Sequence, residues 1–314
     1  MRAITNISCI GAGLIGQGWA TQFSSGGYQL VLCDVNDAIL DRALVNINLN
    51  LMFLERHELL SKGAAARSMK KIKTTCNLAE AVEQADYIQE AVFDSYDVKK
   101  QIFKDLDGLA PDDTILASSS SGLLMTEIQK AVAAPQRCVL AHPYLPVHLM
   151  PLVEVVGGRQ TSSAALAATC DLMEKIGKIP VLLQKEVPGY IVNRLQSALL
   201  REAIDLVDSG VASAEEVDKA FRLSLGLRGP FLGPLLRAHL AGDGIERFFE
   251  NYSESYRIRW ESMAAWNCVS DSAAAANIKS INKMERLRSN SLAEIKTWRD
   301  EMLVKVLKVI RDGT

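Results

Sequence analysis

Apolar residues in the first part of the chain fall into short β-rich runs separated by longer stretches in which apolar positions recur three and four apart. The runs at residues 4–10, 30–34, 70–75, 87–92, 114–118, 138–142, 152–156 and 179–183 read as strands, and helical segments separate most of them. This alternation predicts βαβ units and a mostly parallel sheet. After Pro188 the strand pattern stops, and residues 190–209 repeat apolar positions as an amphipathic helix does. The expected architecture is a doubly wound α/β domain over residues 1–186 followed by an all-helical domain over residues 187–314. Within the second, Gly226, Gly229, Pro230, Gly233 and Pro234 read as a tight connection, Gly242-Asp243-Gly244 as another turn, and residues 292–310 as a last helix.

With 314 residues, 48% of them hydrophobic, the chain is long enough for two cores. Its 35 basic and 37 acidic residues leave a formal charge of −2, so no broad positive field invites nucleic acid or an anionic membrane, and a small-molecule role fits better. No apolar run approaches spanning length, and the first residues enter a strand without the pattern of a signal peptide; the expectation is a soluble, cytoplasmic protein. Cys9, Cys33, Cys76, Cys138, Cys170 and Cys268 are scattered singly, as reduced and mostly buried thiols would be.

Directly after the first predicted strand stands Gly11-Ala12-Gly13-Leu14-Ile15-Gly16, opening a helical stretch. In that context Gly11 makes the tight turn, Gly13 lets the backbone approach a pyrophosphate, and Gly16 lets helix and strand pack closely. The helix N-terminus, with Leu14 and Ile15 in its first turn, then faces the phosphate charge. The second predicted strand ends at Asp34, 18 positions after Gly16, where a carboxylate accepts hydrogen bonds from ribose hydroxyls and repels a 2′-phosphate. Val35-Asn36-Asp37 offers no cation to such a phosphate. Together these features predict a Rossmann-type domain that binds NAD rather than NADP.

Ligands of open α/β sheets bind at the carboxyl ends of strands. After the fifth run comes Ser118-Ser119-Ser120-Ser121, able to donate and accept hydrogen bonds, though a serine-rich turn capping the next helix has the same composition. The sixth run ends at His142, and Glu154 interrupts the apolar strand Leu152-Val153-Glu154-Val155-Val156. A carboxylate inside a buried strand needs a partner, and His142 is the best available. A neutral histidine with a carboxylate behind it suits removal of a proton from a secondary alcohol as hydride leaves carbon. His57, His148 and His239 form no metal pattern; His148, six residues after His142, is a candidate for the substrate pocket.

These motifs resemble, along essentially the whole chain, the 3-hydroxyacyl-CoA dehydrogenase family, and within it the lambda-crystallin branch with its L-gulonate 3-dehydrogenase activity. The branch likeness rests on Thr75-Cys76-Asn77-Leu78-Ala79-Glu80-Ala81-Val82, residues 118–121, Pro151-Leu152-Val153-Glu154 and Trp298-Arg299-Asp300. The resemblance implies that His142 is the general base and Glu154 its orienting partner. It implies that Ser121 and Asn193, the latter in Pro188-Gly189-Tyr190-Ile191-Val192-Asn193-Arg194, bind the reacting oxygen and help to place the nicotinamide, and that Glu90 lines the cofactor site. Arg228, in Gly226-Leu227-Arg228-Gly229, can fork onto a substrate carboxylate. One departure stands out: the branch's His-Pro-x-Asn-Pro reads His142-Pro143-Tyr144-Leu145-Pro146, with leucine where an amide is expected.

The reading is therefore NAD-dependent oxidation of the 3-hydroxyl of a small carboxylate-bearing hydroxy acid, such as L-gulonate. Three rivals stand beside it. Carnitine would need an aromatic or acidic cage for its quaternary ammonium, and no such cluster is evident in the sequence. An acyl-CoA would need a basic surface, which Lys70, Lys71 and Lys73 could offer. A crystallin-like structural role would not require Ser121, His142, Glu154 and Asn193 together. The family likeness further implies a homodimer through the helical domain, with residues 211–227 and 231–240 as interface material.

Overall fold

The computed structural model describes residues 3–312, which divide into two compact units with the boundary between Arg194 and Leu195. The first holds eight strands, β1 (Asn6–Ile10), β2 (Gln29–Cys33), β3 (Ile72–Thr75), β4 (Tyr87–Glu90), β5 (Ile115–Ser118), β6 (Cys138–Pro143), β7 (Leu152–Gly157) and β8 (Ile179–Leu182). They form one sheet in the order β3-β2-β1-β4-β5-β6-β7-β8, parallel throughout except where β7 runs antiparallel to β6. All eight predicted strands are present, and the mostly parallel sheet is borne out.

Strand order reverses between β1 and β4, so the loops after those two strands diverge to opposite faces and leave a crevice at their carboxyl ends. Helices cover both faces: α1 (Leu14–Ser25), α2 (Asp37–Arg56), α3 (Ala64–Met69), α4 (Leu78–Val82), α5 (Tyr96–Leu109), α6 (Met125–Ile128) and α7 (Ser163–Lys175), followed by α8 (Val192–Asp208). Because successive strand side chains point to opposite faces, β1 feeds two cores. Ile7 and Cys9 join Trp19, Phe23 and Leu51 on one side, and Ile10 joins Ile88, Phe103 and Leu106 on the other. Side chains of Asn36, Asn77, Ser95 and Ser162 accept from the first-turn amides of α2, α4, α5 and α7, each cap contributing about 1 kcal/mol.

The second unit is helical, with α9 (Ala214–Phe221), α10 (Pro234–Ala241), α11 (Ile245–Ser262), α12 (Asp271–Ile281), α13 (Glu285–Ser289) and α14 (Leu292–Asp312). Ser213 and Ser270 cap α9 and α12, and the Ala214 amide donates to Ser280 Oγ at 2.9 Å. The sequence reading of a tight turn beginning at Gly226 is corrected: residues 222–226 form a π-helical segment and the chain stays helical through Arg228 before turning. Gly226 faces the Phe221 ring and carbonyl there, so its small size serves helix packing.

Candidate active site

The glycine turn has the geometry a dinucleotide needs. Gly11 adopts φ +100°, and a Cβ on it would lie 2.7 Å from the Ala91 carbonyl oxygen. A Cβ on Gly16 would fall 1.8 Å from the Gly11 carbonyl oxygen, so only glycine lets α1 start this close to β1. Gly13 has no neighbour within 4 Å of such a carbon, leaving open space in front of the helix. No side chain caps α1 and no acidic residue lies in its first turn, so its leading amides, Leu14 and Ile15 among them, are left for an anion. Asp34 follows β2, its carboxylate fixed by the amides of Ala12 at 2.6 Å and Val35 at 2.7 Å. An open backbone cradle beside a pinned carboxylate fits the diphosphate and ribose of NAD.

Glu90 closes β4 and is fully buried. Its oxygens accept from Lys99 Nζ at 2.7 and 2.9 Å, from Ser118 Oγ at 2.7 Å and from the Val92 amide at 2.6 Å. Lys99 is itself only 1% exposed, because the first turn of α5 lays it over the end of β4. Glu90 thus anchors the loop after β4 from beneath. Asp94, which the sequence reading passed over, reaches the surface of this cluster: Oδ1 accepts from Ser120 Oγ at 2.7 Å, and Oδ2 accepts from Ser121 Oγ at 3.0 Å and its amide at 3.2 Å. Burial works to raise the Asp94 carboxyl, but Ser120, Lys99 and Ser121 together hold it below the usual carboxylate range. The serine run is divided in role: Ser118 and Ser120 are buried struts, Ser119 takes the Trp19 indole and Gln89 amide, and Ser121 is exposed.

His142 and Glu154 are register partners on β6 and β7, and His142 Nδ1 lies 3.1 Å from Glu154 Oε2. The same oxygen accepts from the Tyr144 hydroxyl at 2.5 Å. The other, Oε1, accepts from the Ile191 amide at 2.9 Å and the Val192 amide at 3.0 Å. Those amides are aimed by two consecutive left-handed residues, Gly189 at φ +76° and Tyr190 at φ +51°; the Tyr190 hydroxyl donates to the Leu123 carbonyl at 2.7 Å and ties down the turn. Burial would raise the Glu154 carboxyl, but donors from His142, Tyr144, Val192 and Ile191 outweigh it and hold it below the usual carboxylate range. With Nδ1 committed to this carboxylate, Nε2 is the His142 atom left to exchange a proton with a ligand.

The turn that satisfies Glu154 leads into Asn193, whose Nδ2 donates to the Ser121 carbonyl at 2.9 Å. His142, Glu154, Asn193 and Ser121 are therefore joined by one chain of contacts. Glu90 is adjacent through Ser118 and the loop after β5. Arg228 belongs to the second unit, where its Nε and Nη2 donate to the Ser224 carbonyl and hydroxyl, each at 3.1 Å. Leu145 is half-exposed, and no group of side chains among the described residues has the makeup of a metal site. Phe248, Tyr252, Tyr256 and Trp260 make ring contacts in a row along α11, and the Arg259 guanidinium lies 4.1 Å from the centroid of Tyr256. No helix among the described residues is long and apolar enough to cross a membrane.

Comparison with known proteins agrees with this geometry. Residues 6–187 match the 3-hydroxyacyl-CoA dehydrogenase NAD binding domain, and residues 189–279 match the 3-hydroxyacyl-CoA dehydrogenase C-terminal domain. The chain is 35% identical to lambda-crystallin of Oryctolagus cuniculus over 98% of its own length and 97% of that protein's. It is 33% identical to L-carnitine dehydrogenase of Oceanobacillus iheyensis over 98% of both chains. Among solved structures, a 5-formyl-3-hydroxy-2-methylpyridine 4-carboxylic acid 5-dehydrogenase, described as an NAD+ dependent dismutase, superposes with a TM-score of 0.84 at 28% identity, covering 98% of this chain and 99% of that one. The nucleotide cradle, the histidine–carboxylate pair and these full-length likenesses make the chain an NAD-dependent oxidoreductase belonging to the 3-hydroxyacyl-CoA dehydrogenase family.

Proposed function

We propose that this protein oxidises the 3-hydroxyl of a small carboxylate-bearing hydroxy acid, with L-gulonate, converted to 3-dehydro-L-gulonate, as the leading substrate. The observation that carries the reading is the His142–Glu154 pair, which leaves Nε2 of a tautomerically fixed imidazole as the acceptor for an alcohol proton. NAD, when bound, supplies the hydride acceptor. Gly13, Leu14, Ile15 and Gly16 would hold its diphosphate and Asp34 its ribose. His142 takes the hydroxyl proton, and Glu154 stabilises the imidazolium that results. The Ser121 hydroxyl and the Asn193 side chain orient the reacting oxygen, Ser121 held by Asp94 and Asn193 by its bond to the Ser121 carbonyl. Arg228 pairs with the substrate carboxylate through its guanidinium.

The partner expected for the helical unit is a second copy of this chain. Leu223, Leu227, Phe231, Leu235, Leu236 and Leu240 are all exposed, and α8, α10 and α11 contain no buried residue, a pattern helices adopt when a partner completes their core.

A second reading, oxidation of a quaternary-ammonium hydroxy acid such as carnitine, is favoured by the aromatic row on α11 and by the likeness to L-carnitine dehydrogenase. NAD reduction followed by absorbance with L-gulonate, L-carnitine, 3-hydroxybutyrate and 3-hydroxybutyryl-CoA separates the candidates. Turnover of free acids that both His142→Gln and Arg228→Ala abolish supports the proposal. Turnover of the CoA thioester alone, indifferent to Arg228, overturns it; preference for carnitine moves the assignment to the second reading.

A further inference from the structure

Glu154 has four hydrogen-bond donors, and one of them comes from a residue to which nothing above assigns a role. Tyr144 is two positions past His142, at the variable place in His142-Pro143-Tyr144-Leu145-Pro146. Its hydroxyl donates to Glu154 Oε2, the oxygen that also faces His142 Nδ1, while its ring meets the imidazole edge-on with centroids 4.6 Å apart. Phenylalanine would supply the ring contact without the hydroxyl.

We propose that Tyr144 is a positioning residue for His142: by sharing Glu154 Oε2 with the imidazole, its hydroxyl limits how strongly the carboxylate holds a proton on the ring. A carboxylate oxygen that already accepts a strong hydrogen bond carries less free negative charge toward a second donor. A base backed by an unshared carboxylate would take up a proton readily but release it reluctantly between turnovers. The shared oxygen keeps the ring oriented and lets the proton leave for solvent.

Two titratable side chains make ring contacts with the imidazole: Tyr144, just past β6, and Tyr190 in the turn before α8, whose ring lies 5.3 Å away and whose hydroxyl is turned to the Leu123 carbonyl. The remaining donors to Glu154 are the fixed Ile191 and Val192 amides. Burial and the Glu154 contact push the Tyr144 phenol well above the usual tyrosine range, so it acts as a donor at every pH of interest.

The inference rests on the dehydrogenase reading only for why release of the proton matters, and its test needs no substrate. The full-length protein carrying isotope-labelled histidine is titrated by NMR, with the His142 signal among the four histidines assigned by its loss in His142→Gln. Tyr144→Phe is expected to raise the His142 midpoint by about half a pH unit or more, the scale of a fraction of one charge-assisted hydrogen bond. Tyr144→3-fluorotyrosine, a stronger donor of nearly the same shape, is expected to lower it. In a Glu154→Gln background both shifts should vanish. An unchanged midpoint in both Tyr144 variants, or shifts of the same size without the Glu154 carboxylate, overturns the proposal. The opposed signs keep the test decisive if one variant folds poorly. With an active substrate, the acid limb of kcat/KM should move with the NMR midpoint. Absence of any turnover would count against the substrate assignment and leave the titration result standing.

Discussion

His142 and Glu154 sit directly opposite each other on β6 and β7, and the antiparallel register alone turns both side chains to the same face of the sheet with Nδ1 and Oε2 3.1 Å apart. A shift of one residue in that register would send Glu154 to the other face. The alternation of the two strands, and the hydrogen bonds from Ile191 and Val192, hold the pair together.

Glu154→Gln keeps the shape of the side chain and removes its charge. Kcat/KM for the alcohol substrate is expected to fall by roughly a hundredfold to ten-thousandfold, because the imidazolium loses its counter-charge and the ring its tautomeric control. NAD affinity should be unchanged, since the cradle at Gly13 lies on other strands. Initial rates and fluorescence titration with NAD separate the two effects; a parallel loss of NAD binding would mean that the substitution had disturbed the sheet.

The lowered Glu154 carboxyl also makes an acid-side stability prediction. Its ordinary value is 4.5 and its folded value is lower, so the unfolded chain binds this proton first as pH falls. The contribution is fully present above the unfolded value and is lost as pH drops through the folded one. Urea unfolding at pH 6 and at pH 4 should show wild type losing more stability across that interval than Glu154→Gln. Equal slopes would show that the carboxylate is not stabilised in the fold.

Much of this was legible before any coordinates. Strand runs, the glycine turn and Asp34 are local features whose spacing carries their geometry, and the eight strands fall within a few residues of where the apolar pattern puts them. Glu154 was visible because it interrupts an apolar run and has one nearby histidine to answer it. Glu90 interrupts a strand in the same way, but its partner Lys99 lies nine residues on, in a helix whose polar spacing reads as solvent-facing. Only the docking of α5 over β4 shows that lysine to be buried. Asp94 was passed over because its contacts, Ser120 and Ser121, lie 26 and 27 positions away. Phe248, Tyr252, Tyr256 and Trp260 recur every fourth residue, a spacing that puts their rings in a row on one face of a helix.

The two central glycines should fail in different ways. An alanine methyl at Gly16 would collide with the Gly11 carbonyl at 1.8 Å, so Gly16→Ala forces α1 away from β1 and should lower both Tm and NAD binding. At Gly13 the methyl meets no protein atom within 4 Å, so Gly13→Ala should keep the wild-type Tm. Its methyl would occupy the space left for the diphosphate, weakening NAD by about tenfold or more, which corresponds to ~1.4 kcal/mol. Calorimetry of unfolding beside NAD titration tests the contrast. A Gly13→Ala protein that binds NAD as wild type does would place the diphosphate elsewhere.

Glu90 and Lys99 form a buried pair, 0% and 1% exposed at the side chain, whose charges are costly apart and compensated together. Lys99→Met leaves Glu90 with an unbalanced charge beneath the loop that carries Asp94, and should destabilise the protein by roughly 3–5 kcal/mol. Glu90→Gln strands the ammonium and should cost a similar amount. The double variant removes both charges, so its loss should be well short of the two single losses added together, with a coupling of about 1–3 kcal/mol in a double-mutant cycle read from urea denaturation. The cycle also tests how the pair serves the site. Because Ser121 depends on Asp94, and Asp94 stands 3.7 Å from Lys99 Nζ, the double variant should lose less stability than the two single losses added together and still fall short of full kcat. A wild-type kcat in the double variant would show that Asp94 holds Ser121 without help from the lysine.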